Sequence, residues 1–125
     1  MNIEQQVCSL ELAKRLKELG VKQDSYFWWV NPEMTENNAT QLLADDDRFI
    51  NCHPDLYLSA FTVAELGEML PLWWYSGKRK ENDYICEVFK RNVTDKLNSF
   101  GDTEANARAK MLIYLIENKL IEVPK

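Results

Sequence analysis

The segment Thr103-Glu-Ala-Asn-Ala-Arg-Ala-Lys-Met-Leu-Ile-Tyr-Leu-Ile-Glu117 limits the fold more than any other part of the chain. Ala105, Ala109, Leu112, Ile113, Ile116 and Leu120 recur at helical spacing, and Met111 and Leu115 widen the stripe. The pattern predicts a helix from near Thr103 to about Asn118. A stripe this wide fits a helix packed across the middle of a sheet. Alanines in its first turns allow close approach to that sheet, while the larger residues fill space at the other end.

Two further helices carry their own start and stop signals. Ser9 is placed to cap a helix over Ser9–Leu19, with Leu10, Leu12, Ala13, Leu16 and Leu19 on its apolar face. Gly20 can take the left-handed conformation that ends such a helix, bringing Val21 back towards Leu16. Thr62-Val-Ala-Glu65 has the form of a capping box, with Phe61 and Leu66 at the positions of a hydrophobic staple. Pro71 stops that helix after Val63–Leu70. Between the helices, strands are expected at Ser25–Val30, Arg48–Cys52, Leu72–Ser76 and Tyr84–Lys90, where aromatic and β-branched residues concentrate. Gly77–Asp83 reads as a hairpin loop, Asn31–Asp47 as a long loop, and Asn92–Asp102 as a polar connector. The expected architecture is α+β: one antiparallel sheet of about four strands with three helices, in a single globular domain spanning residues 1–125.

Tryptophans occur in tandem within Tyr26-Phe-Trp-Trp-Val and Leu72-Trp-Trp-Tyr-Ser-Gly. Neighbouring side chains on a strand point to opposite faces, so each pair sends one indole to each side. On the last strand Tyr84, Cys86 and Val88 oppose Ile85 and Phe89, with Glu87 the one charge on the second side. Neither strand alternates apolar with polar, as a half-exposed sheet would. Either protein covers both faces, or one face is an aromatic binding surface drawn from Trp28, Trp29, Trp73, Trp74 and Tyr75.

A formal net charge of −5 argues against broad nucleic-acid binding, which needs clustered cations. Lys78-Arg79-Lys80 is the one basic cluster. It lies beside aromatics, as in single-strand binding sites, but in an acidic chain it better suits a solvated turn that resists aggregation. Asp45-Asp46-Asp47 reads as a solvated loop, with phosphate mimicry in an acidic inhibitor of a nucleic-acid enzyme as the alternative. No apolar run approaches the ~20 residues of a membrane span, and the N-terminus lacks the pattern of a signal peptide. Three widely spaced cysteines suit reduced thiols in a cytosol.

Candidate chemistry is thin. His53, the only histidine, follows Cys52, but adjacent side chains on an extended chain point apart and make a poor catalytic pair. Cys8, Cys52, His53 and Cys86 have zinc-ligand chemistry without a Cys-x2–4-Cys knuckle. Asp45, Asp46, Asp47 and Asp55 match no calcium loop, and no phosphate loop, nucleophile elbow or HExxH is present. No catalytic residue, metal or cofactor is therefore expected. A helix-turn-helix is also ruled out, because an aromatic strand begins where a recognition helix should.

Cys8–Gly20, Phe61–Pro71 and Thr103–Glu117 resemble segments of small proteins encoded by bacteriophages and prophages. The likeness covers the three helices and the Trp-rich strand between the first two. It implies a bacterial cytoplasm during phage growth or lysogeny, and brings no catalytic residues with it. The expectation is an accessory protein that works by binding a protein partner or by self-association.

Overall fold

A computed structural model describes residues 3–35, 41–44, 54–71, 74–89 and 96–124. Helix α1 spans Leu10–Glu18, and its cap Ser9 accepts a hydrogen bond from the Leu12 amide. At its far end Gly20 sits at φ 91°. The Gly20 and Val21 amides donate to the Lys17 and Leu16 carbonyls, closing the orphan groups of the last turn. Helix α2, Val63–Met69, carries both halves of the capping box: the Glu65 amide donates to Thr62 Oγ1, and the Thr62 amide donates to Glu65 Oε1. Helix α3, Glu104–Glu117, is capped by Thr103, whose hydroxyl accepts from the Asn106 amide.

Six strands are described: β1 Phe27–Val30, β2 Leu42–Ala44, β3 Tyr57–Ser59, β4 Trp74–Lys80, β5 Asp83–Phe89 and β6 Lys96–Gly101. They form two three-stranded antiparallel sheets, ordered β2–β1–β3 and β4–β5–β6, not one sheet of about four strands. The reason lies in the edges of β1. Both are taken, Trp29 standing opposite Leu42 on one side and Leu58 on the other, so β1 has no edge left for β4, and β4, β5 and β6 pair among themselves.

Three sequence expectations fail for physical reasons. Asn31–Asp47 contains β2, which pairs because Leu43 packs in a small cluster around Trp28 and Tyr57. Gly77–Asp83 is not a loop: β4 continues to Lys80 and the turn shrinks to Glu81–Asn82, with Asn82 at φ 57°. Gly77 interrupts the strand pattern because the Tyr75 ring folds over it; a Cβ there would stand 2.5 Å from Tyr75 Oη. The polar connector contains β6, whose Lys, Asn, Ser and Gly content hides a strand. Gly101 ends β6 because α3 arrives there: a Cβ would lie 2.6 Å from the Ala107 amide nitrogen. Ser99 Oγ donates to the Ala107 carbonyl at 2.6 Å. The strand expected at Arg48–Cys52 lies outside the described residues. β3 has no counterpart among the expected strands, although Tyr57, Leu58 and Ser59 are all buried.

Helix α3 packs on β4, β5 and β6 with one side and on α1 and α2 with the other. Ala105, Ala107, Ala109, Met111, Leu112, Ile113, Leu115 and Ile116 are all buried. This leaves Lys110, Tyr114 and Glu117 as a narrow solvent stripe. Cys86 and Val88 of β5 enter the same core with Leu16, Leu58, Phe61 and Leu66. The expected contrast is large. Leu112→Ala should destabilise the protein by about 2–5 kcal/mol, and Tyr114→Ala, on the solvent stripe of the same turn, by no more than about 1 kcal/mol, both read by urea denaturation. Equal losses would mean that α3 is not enclosed on both sides.

Candidate functional site

The tryptophans are structural wherever they are described. Trp28 is buried with Tyr57, flanked by Val30, Leu43 and Leu56. Trp29 turns the other way into the main core, and its indole Nε1 donates to the Cys8 carbonyl at 2.8 Å. Trp74 packs on the core beneath Arg108, whose guanidinium carbon lies 4.4 Å from the ring centroid. Trp73 lies outside the described residues. The tandem pattern does send indoles to opposite faces, but β1 has apolar cover on both. An aromatic surface built from Trp28, Trp29 and Trp74 is therefore not what these residues form.

Arg108 ties that junction together. Its Nη1 donates to the Val63 carbonyl of α2 at 2.5 Å and its Nε to Ser76 Oγ of β4 at 2.9 Å. Its Nη2 lies 3.5 Å from Glu104 Oε1, and Ser76 Oγ donates to Glu104 Oε2 at 3.2 Å. Burial lowers the Arg108 pKa, with Glu104 opposing. With its donors taken by protein and its face by an indole, this arginine braces three elements.

Tyr75 is different. It is 56% exposed, on the side of β4 away from α3. Strand register assembles its neighbours: Gly77 pairs with Ile85 and Ile85 with Phe100, while Tyr75 pairs with Glu87 and Glu87 with Asn98. Ile85, Phe89 and Phe100 lie outside the buried core cluster, whereas Cys86, Val88 and Leu97 belong to it or pack on it. Phe100 is 44% exposed, and the Arg79 guanidinium lies over its ring at 5.0 Å. Glu87 stands on the central strand between Ile85 and Phe89, and Lys96 Nζ approaches its Oε1 at 3.4 Å. The outer face of the β4–β5–β6 sheet thus exposes Tyr75, Ile85 and Phe100 on one side of a central Glu87–Lys96 pair and Phe89 on the other. The alternation of Ile85 and Phe89 against Cys86 and Val88 was visible in the sequence. Phe100 carries no such signal, because the polar composition of Lys96–Gly101 reads as a connector.

The basic hairpin is largely neutralised. Lys78 Nζ pairs with Glu81 at 2.7 Å, and Arg79 Nε lies 3.8 Å from Asp83. Lys80 is exposed. Asp45, Asp46, Asp47, Cys52 and His53 lie outside the described residues. Cys8 and Cys86 are both buried. Burial pushes each thiol from an ordinary 9.0 up to about 12, so both are neutral thiols at physiological pH and poor nucleophiles. Among the described residues no helix is long and apolar enough to cross a membrane, and no cluster of metal-ligating side chains forms.

No family model matches the chain, and neither does any curated protein or solved structure compared with it.

The cysteines supply a direct check. A folded thiol whose pKa is raised favours the native state below the unfolded value of 9.0, and that advantage disappears as pH climbs from 9.0 towards about 12. Iodoacetamide mapping at pH 8 should leave Cys8 and Cys86 unmodified in the native protein and modify both in urea. Stability should fall across the alkaline window. Rapid native labelling of either residue would contradict its burial.

Proposed function

We propose that this chain is a protein-binding accessory module of phage or prophage type, acting without catalysis through the outer face of the β4–β5–β6 sheet. The observation that carries this reading is the row of Tyr75, Ile85, Phe89 and Phe100 on the side of a three-stranded scaffold opposite α3. Aromatic side chains held by strand pairing bring contact area at little further cost in conformational entropy, and aromatics dominate binding energetics at interfaces. Arg79 over Phe100 and the Glu87–Lys96 pair in the middle of the face add charge recognition among these apolar side chains.

Size narrows the partner. Strand rise and spacing make the face roughly 20 Å by 10–15 Å, a patch of a few hundred Å². A stable dimer needs about 800 Å² from each partner. The face therefore suits a transient partner that lays one or two apolar side chains on it better than permanent pairing with a second copy. The paired state of Lys78 and Arg79, with the net charge of −5, makes single-strand nucleic acid the weaker occupant.

Peptide-library selection on the immobilised native protein tests the reading without a known partner. Enriched peptides should bind Phe100→Glu at least about ten-fold more weakly than wild type, while the melting midpoint stays within about 3 °C. If no enriched peptide distinguishes Phe100→Glu from wild type, the working surface lies elsewhere and the proposal is overturned.

A further inference from the structure

A second surface lies on the far side of α2. Residues following α1, the end of α2 and the segment Ile121–Pro124 enclose an open cleft of about 810 Å³. That volume falls within the range of ligand-binding clefts. Phe61, Met69, Ile121 and Val123 supply apolar lining. The segment behind it is fixed: the Lys22 amide donates to the Pro124 carbonyl at 3.3 Å, and Ile121 and Val123 pack on the main core. The cleft is thus a groove in a packed structure.

The border of the groove has a strong charge bias. Four carboxylates, Asp24, Glu65, Glu68 and Glu122, line it against one cation, Lys22. They come from three separate segments, so the bias belongs to the groove and not to one acidic run. Glu65 is occupied in the capping box, accepting from the Thr62 amide. Asp24, Glu68 and Glu122 form no ion pair with any described residue. Tyr26 stands at the mouth, 70% exposed, and offers a ring face to an incoming cation.

We infer that this groove binds a cationic amphipathic segment of a partner protein, its apolar side chains on Met69, Ile121 and Val123 and its Lys or Arg side chains against Asp24, Glu68 and Glu122. Charge complementarity selects that occupant: an acidic or phosphorylated ligand would meet repulsion from Asp24, Glu68 and Glu122, and a purely apolar one would leave these carboxylates unanswered. This site stands independently of the sheet face, with which it shares no residue.

The test uses the full chain and a fluorescein-labelled peptide, Lys-Leu-Leu-Lys-Leu-Leu-Lys, followed by fluorescence anisotropy. Two comparison peptides replace every Lys by Glu or every Leu by Gly. Wild type should bind the first peptide and lose at least about ten-fold in affinity for either replacement. Glu68→Lys, on the exposed side of α2, should weaken binding by about ten-fold or more; Asp24→Lys, outside any helix, should do the same and serves if the first variant misfolds. Glu81→Lys makes the same change in net charge at the β4–β5 turn and should alter binding by less than about three-fold. Equal weakening by Glu68→Lys and Glu81→Lys would show non-specific attraction to an acidic protein and overturn the inference. So would equal binding of the Leu-to-Gly peptide, or no binding by wild type at about millimolar peptide.

Discussion

The enclosure of α3 is the constraint on which the rest of the structure depends. The inner face of the β4–β5–β6 sheet presents Cys86, Val88 and Leu97, which a three-stranded meander cannot keep from water alone. The inner faces of α1 and α2 present Leu16 and Leu66, with the same problem. Helix α3 solves both by being apolar over most of its circumference, so two half-cores become one. Close approach at its N-terminal end requires Ala105, Ala107 and Ala109 on the helix and Gly101 on β6. Asn106 fastens that end again, accepting from the Ser9 amide at 2.8 Å where α1 begins.

With the centre occupied by α3, the large aromatics take up bracing positions around it. Trp29 links β1 to the backbone of Cys8, and the Cys8 amide in turn donates to the Phe61 carbonyl. Trp74 and Arg108 lock β4 against α2 and α3. Trp28, Trp29 and Trp74 therefore brace the core. That bracing holds the outer face of β4–β5–β6 and the groove beside α2 in fixed shape, which lowers the ordering cost of any partner they take.

Helices were legible in the sequence because their signals are local: a serine cap, a capping box and a glycine at the end of α1 are each set by a few neighbouring residues. Strands were harder to read. β6 looks like a connector because its inward residues, Leu97, Ser99 and Gly101, are chosen to fit α3 and not for strand propensity. β4 looks broken at Gly77 because Tyr75 needs the space. The binding face was half legible: Tyr75, Ile85 and Phe89 stood in recognised strands, while Phe100 joins them only through register with Ile85. The groove was not legible at all, since its carboxylates come from segments that meet only in the folded chain.

Native-state hydrogen exchange tests the central role of α3 most directly, because it compares segments within one molecule. Amides from Ala109 to Ile116 should be among the slowest in the protein and exchange only through global unfolding, while those of β2 open locally and faster. Exchange of the α3 amides as fast as those of β2, with α1 still protected, would contradict a fold assembled around this helix.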